Sequence, residues 1–132
     1  MSLKRPAASL LIITLFGACS SSDGVPVRLE EYTVSVADSV PSGPVSFRAS
    51  NLGAIEHELT VLRTDLDPDD LPVKDSEART NARGIREVGA TERIQAGEEK
   101  ILALNLRPGR YALICNVPGH YQSGMRTGLR VL

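Results

Sequence analysis

Cys115, His120 and Met125 stand five residues apart from one another in the stretch Tyr111-Ala-Leu-Ile-Cys115-Asn-Val-Pro-Gly-His120-Tyr-Gln-Ser-Gly-Met125, a loop made compact by Pro118, Gly119 and Gly124. A thiol, an imidazole and a thioether are soft or borderline metal donors. Together they suit copper, because thiolate and thioether sulfur favour Cu(I) while imidazole accepts both oxidation states. Zinc fits less well, since its sites rarely recruit a Met.

A fourth donor comes from the census of the chain, which contains only two His, two Met and two Cys. The second His is His57, in Asn51-Leu-Gly-Ala-Ile-Glu-His57-Glu-Leu-Thr-Val-Leu; the other Met is the initiator, and Cys19 has a separate explanation. Singly, the ordinary reading of these residues is an inert core thiol, a gap-filling Met and two hydrogen-bonded His. As a set, His57, Cys115, His120 and Met125 make a His2Cys group with a weak axial Met, the donor composition of a blue copper site.

The C-x4-H-x4-M loop with a His on an earlier strand resembles the blue copper proteins, or cupredoxins. Its spacing is similar to that of the rusticyanin, auracyanin and sulfocyanin branches, whereas plastocyanin has a shorter Cys-to-His gap. The resemblance covers residues 51–62 and 110–132, and the N-terminal strands by pattern alone. It implies that His57, Cys115 and His120 are equatorial ligands of one copper ion and that Met125 is axial. One position departs: many cupredoxins carry an Asn directly after the first His, bonding the Cys sulfur, and here that residue is Glu58.

At 132 residues the chain is long enough for one core. Its formal charge is −1, two units more negative once Lys4 and Arg5 are removed, and no basic patch points to nucleic acid. Residues 1–18 read as a signal peptide: Lys4 and Arg5, the apolar run Ala7 to Phe16, then Gly17 and Ala18. The run is too short for a bilayer, which needs ~20 apolar residues. Phe16-Gly17-Ala18-Cys19 resembles a lipobox, which predicts lipidation of Cys19, a serine-rich tether over 19–26 and a domain over 27–132. The expected location is a bacterial membrane, facing the periplasm or exterior. Ordinary cleavage after Ser20, giving a soluble periplasmic protein, is the alternative. In such a compartment, once Cys19 is acylated or removed, Cys115 has no disulfide partner in the chain, so this thiol is expected to be buried or metal-bound.

Patterning predicts an all-β fold, a Greek-key β-sandwich of seven or eight strands with the metal at one end. Val27, Leu29, Tyr32, Val34 and Val36 read as one half-buried strand with a bulge at Glu30-Glu31, and Val45, Phe47 and Ala49 as the next. His57, Leu59 and Val61 share a face of a third strand, Leu102, Leu104 and Leu106 of another, and Tyr111, Leu113 and Cys115 of the strand before the ligand loop. Tyr111 occupies the place of the corner tyrosine of such sandwiches. Residues 64–93 read as a long irregular connection: Asp67 to Asp70 could cap a short helix and Ser76 to Arg83 could form another turn or two. The segment is expected to be a solvated excursion on the flank or a docking arm.

The donor census separates three function classes. Copper enzymes of related fold need further His ligands, and none is left over, so the chain is not expected to be an enzyme. A copper carrier for homeostasis usually adds Met-rich or His-rich tracts, which are absent, and stands as the alternative. One-electron transfer outside the cytoplasm, by a monomer with an unknown redox protein as partner, fits best. If loops 51–57 and 115–125 meet at the metal, Leu52 to Ile55 and Val117, Pro118, Gly119 and Tyr121, none of them charged, ring His120 and predict a docking patch of Leu52, Ile55, Val117, Pro118 and Tyr121.

Overall fold

The structure, a computed structural model, describes residues 24–132. The predicted signal peptide, Cys19 and residues 20–23 of the tether lie outside the described residues. Two sheets pack face to face. Their strands are β1 (Val25–Glu30), β2 (Thr33–Ser35), β3 (Ser39–Val40), β4 (Gly43–Asn51), β5 (Thr60–Thr64), β8 (Ile85–Ala90), β9 (Glu99–Leu106), β10 (Gly109–Ile114) and β11 (Arg126–Val131). The first sheet has the order β2-β1-β4-β9, and the second β3-β11-β10-β5-β8. A separate ribbon pairs β6 (Val73–Lys74) with β7 (Glu77–Ala78). No helix among the described residues is long and apolar enough to cross a membrane.

The alternating residues face inward as the pattern demands. Val27, Leu29, Val45, Phe47, Ala49, Leu59, Val61, Leu106, Tyr111, Leu113, Leu129 and Val131 form the core between the sheets, joined at one end by Cys115, Val117 and Met125. Phe47 is fully buried; burying such a side chain contributes about 1.5–3 kcal/mol. Tyr111 is buried, and its hydroxyl donates to the Arg107 carbonyl at 2.8 Å, as expected of a corner tyrosine.

Three expectations need correction. Among the described residues the two sheets hold nine strands, because the slip at Glu30-Glu31 is a hairpin turn: β1 pairs antiparallel with β2, and Glu30 faces Thr33. Strand β1 already begins at Val25, within the predicted tether, where Val25 and Pro26 pair with Phe47 and Arg48 on β4. Residues 64–93 are only partly irregular. Asp67 does cap a 3-10 turn at Pro68–Asp70, its side chain accepting the Asp69 N–H at 2.9 Å. The predicted turns at 76–83, however, contain β7, and residues 85–90 are the edge strand β8. A shift of register between Val61 and Leu62 leaves Val88 unmatched, placing Arg86 and Glu87 both outward and erasing the alternation that marks a strand.

Candidate metal centre

His57 precedes β5 and is held by a two-way backbone bridge with Ile94, at 3.1 Å from His57 N–H and 2.8 Å to its carbonyl. Its side chain shares the inward face with Leu59 and Val61 and is fully buried. Cys115 directly follows β10, and its N–H donates to the Met125 carbonyl at 3.0 Å. Between them the loop folds on itself: Pro118 fixes the first corner, Gly119 takes φ 82°, and the His120 N–H closes the turn onto the Val117 carbonyl at 2.9 Å. Met125 N–H then returns to the His120 carbonyl at 3.1 Å. Gly124 has φ 121°, and a Cβ there would stand 2.8 Å from the Tyr32 carbonyl, so the close approach of loop and hairpin requires glycine.

The result is a tight triangle of donors. His57 Nδ1 and His120 Nδ1 are 3.2 Å apart, and Cys115 Sγ lies 3.9 Å from the first and 3.6 Å from the second. Met125 is fully buried in the same end of the core, tied by its backbone to both Cys115 and His120. His120 is half-buried, with its ring edge-on to exposed Tyr32 at 5.8 Å. All four predicted ligands therefore come to one end of the sandwich, three of them with donor atoms within 4.8 Å of one another.

Burial pushes the Cys115 thiol up from its ordinary value, opposed by the N–H groups of Glu58 and Val117. Burial also lowers His120, and the neighbouring His57 adds to that. A neutral imidazole with a free lone pair is the form that binds a cation, and a cation held here would displace the thiol proton. The departure at Glu58 costs no hydrogen bond, because the backbone N–H of residue 58 donates to Sγ at 3.4 Å. The Glu58 side chain turns instead to Arg93, 3.1 Å away, whose other end holds Glu56 at 2.7 Å.

The 64–93 segment is largely exposed, as a solvated excursion on the flank should be, but through Leu71, Ala78 and Ile85 it is anchored to the domain and braces the ligand loop. Asn116 exchanges two hydrogen bonds with the backbone of Ala78, at 2.8 and 3.1 Å, and the Gly119 N–H donates to the Ser76 carbonyl at 2.8 Å. Leu71, Ala78 and Ile85 bury Leu62, Ala112, Ile114 and Tyr121 in a second apolar cluster on the outer face of β10.

That brace corrects the predicted patch. Leu52, Ile55 and Pro118 are exposed, but Val117 belongs to the main core and Tyr121 to the second cluster. Tyr121 was drawn inward by two backbone partners on the 64–93 segment, which its sequence neighbours do not reveal. Three residues escaped sequence reasoning. Asn51 is buried and pins the 51–57 loop, donating to Ile55 and Ile94 carbonyls and accepting the Gly53 N–H. Tyr32 turns out to the metal end, and the Glu31 carboxylate reaches His57 Nε2 at 3.0 Å. An acidic pair at a strand irregularity was the available signal.

A thiol, two imidazoles with Nδ1 atoms converging, and a buried thioether fit copper in composition and in softness, and suit zinc less. No family model matches the sequence, and no curated protein sequence matches it. Solved structures do. Reduced auracyanin from Roseiflexus castenholzii matches with a TM-score of 0.61 at 19% identity, covering 81% of this chain and 94% of its own. Auracyanin A from Chloroflexus aurantiacus, described as a "blue" copper protein, gives 0.54 at 20% identity over 81% and 99% of the two chains. Rusticyanin from Thiobacillus ferrooxidans gives 0.58 at 16% identity over 82% and 75%. In the architecture of its two sheets, then, this chain has the cupredoxin fold.

Proposed function

We propose that the chain binds one copper ion through His57, Cys115, His120 and Met125 and carries single electrons outside the cytoplasm. The observation that carries this reading is the convergence of His57 Nδ1, His120 Nδ1 and Cys115 Sγ at one end of a cupredoxin sandwich. A bound copper ion would supply the Cu(II)/Cu(I) couple. The protein fixes the donors on a braced loop and a packed strand, so little reorganises when one electron moves. Buried His57, Cys115 and Met125 keep water from the inner side, and half-buried His120 offers the edge by which an electron leaves. With only two His in the sequence, both in this site, no imidazole remains for a second, substrate-binding centre.

Export and anchoring belong to the same proposal: a leader over 1–18, lipidation at Cys19 and a short tether would hold a monomer against a membrane with the site free to meet a redox protein. The docking rim is revised to Leu52, Ile55 and Pro118 with Tyr32.

The test is to add Cu(II) to the purified protein. Intense visible absorption from thiolate-to-copper charge transfer is expected, bleached by ascorbate and restored by oxidant with the metal retained. Cys115→Ser should remain folded and colourless. A colourless wild-type protein overturns the reading, and loss of the ion on each reduction points to copper carriage.

A further inference from the structure

We infer that Glu31 is the residue that sets which nitrogen of His57 is available at the metal centre, and that its negative charge tunes the centre; this rests on the copper-site reading above. His57 is fully buried and presents its two ring nitrogens to different partners. Nδ1 faces Cys115 Sγ and His120 Nδ1, while Nε2 meets Glu31 Oε1 at 3.0 Å. A carboxylate oxygen can only accept. The same Oε1 also accepts the N–H groups of Ala54 at 2.8 Å and Ile55 at 3.1 Å. Three donors converging on one oxygen require the ring proton on Nε2, which leaves the Nδ1 lone pair aimed at the site.

The carboxylate is seated rather than stray. Its side chain is only 29% exposed although Glu31 lies in the β1–β2 turn. It rests over Gly53, where a Cβ would collide with Glu31 Oε1. The Leu52 N–H bonds the Leu29 carbonyl at 2.9 Å, so the 51–57 loop is fixed to the hairpin that bears Glu31. Remove the carboxylate and Nε2–H is buried without its partner. The ring is then free to move its proton to Nδ1 and donate to His120 Nδ1 3.2 Å away, which blocks the lone pair. A carboxylate hydrogen-bonded to the remote nitrogen also makes the imidazole a stronger donor to the metal, which favours Cu(II) over Cu(I).

The experiment reads tautomer and copper separately. Imidazole 15N NMR on the metal-free protein should show Nε2–H at His57 in the wild type and in Glu31→Gln, whose amide oxygen is still required by the Ala54 and Ile55 N–H groups. In Glu31→Ala that form should lose its dominance, and Cu(II) affinity should fall by about ten- to a hundred-fold. Glu31→Gln should recover most of the affinity yet raise the midpoint potential, because the geometry is kept and the charge is gone. Gly53→Ala, which displaces the carboxylate from outside, should reproduce Glu31→Ala even if the latter folds poorly. An unchanged His57 tautomer in Glu31→Ala and Gly53→Ala, or an unchanged potential in Glu31→Gln, overturns the inference. A wild type that binds no copper defeats the functional reading instead, while the NMR comparison still decides the role of Glu31.

Discussion

The N–H of Leu71 donates to the hydroxyl of Tyr121 at 2.9 Å, across fifty residues of chain, and the same hydroxyl donates to the Pro68 carbonyl at 2.6 Å. This pair fastens the acidic segment to the residue directly after His120. Tyr121→Phe removes both bonds inside a buried contact and should destabilise the domain by about 1–3 kcal/mol, measured by denaturant unfolding. Asp69→Asn, which breaks the exposed ion pair with Arg126 at 2.8 Å, should cost less than about 1 kcal/mol. Equal losses would mean that the segment is held by charge rather than by Tyr121.

Met125→Gln should keep a coloured copper site and lower its midpoint potential, since an amide oxygen favours Cu(II) where a thioether favours Cu(I). Voltammetry of the two proteins decides it. An unchanged midpoint would remove Met125 from the axial position.

Glu58 and Arg93 should act on the potential with opposite signs. Burial raises the Glu58 carboxyl, opposed by the Arg93 guanidinium beside it. Glu58→Gln leaves the backbone N–H to Sγ in place and removes a negative charge, so the potential should rise. Arg93→Gln removes the compensating positive charge and should lower it. Shifts of one sign in both variants would mean that these substitutions disturb the sulfur geometry instead.

Ile55→Asp and Leu52→Asp place charge on the exposed rim and should slow electron exchange with a natural or surrogate partner while the copper spectrum stays intact. Neutralising Asp69 and Asp70 should change mainly the salt dependence of the encounter. Equal exchange rates in the rim variants would rule the patch out.

Cys19→Ala should move the protein from the membrane to the soluble fraction without altering copper binding, because acylation and metal binding use separate residues. Fractionation followed by absorption spectroscopy checks both halves. Continued membrane attachment would point to an uncleaved leader.

The donor set was legible in the sequence because it is local chemistry. Cys115, His120 and Met125 lie in one short loop whose Pro118-Gly119 turn is written in residue types, and His57 is the only other histidine available to complete it. The sandwich was legible for a related reason: inward residues repeat every second position on β1, β4, β5, β9 and β10, and that period survives any change of neighbour. Strand β8 was hidden because a bulge breaks its period, and the β1–β2 hairpin because two residues of turn mimic a bulge. The brace by Tyr121, Asn116 and Ala78 and the clasp of Glu31 on His57 were decided only in three dimensions. Each joins residues more than twenty apart through a hydrogen bond whose donor and acceptor types are common throughout the chain. Composition cannot single out one carboxylate among sixteen acidic residues; only packing the hairpin against the 51–57 loop brings Glu31, rather than another, to His57.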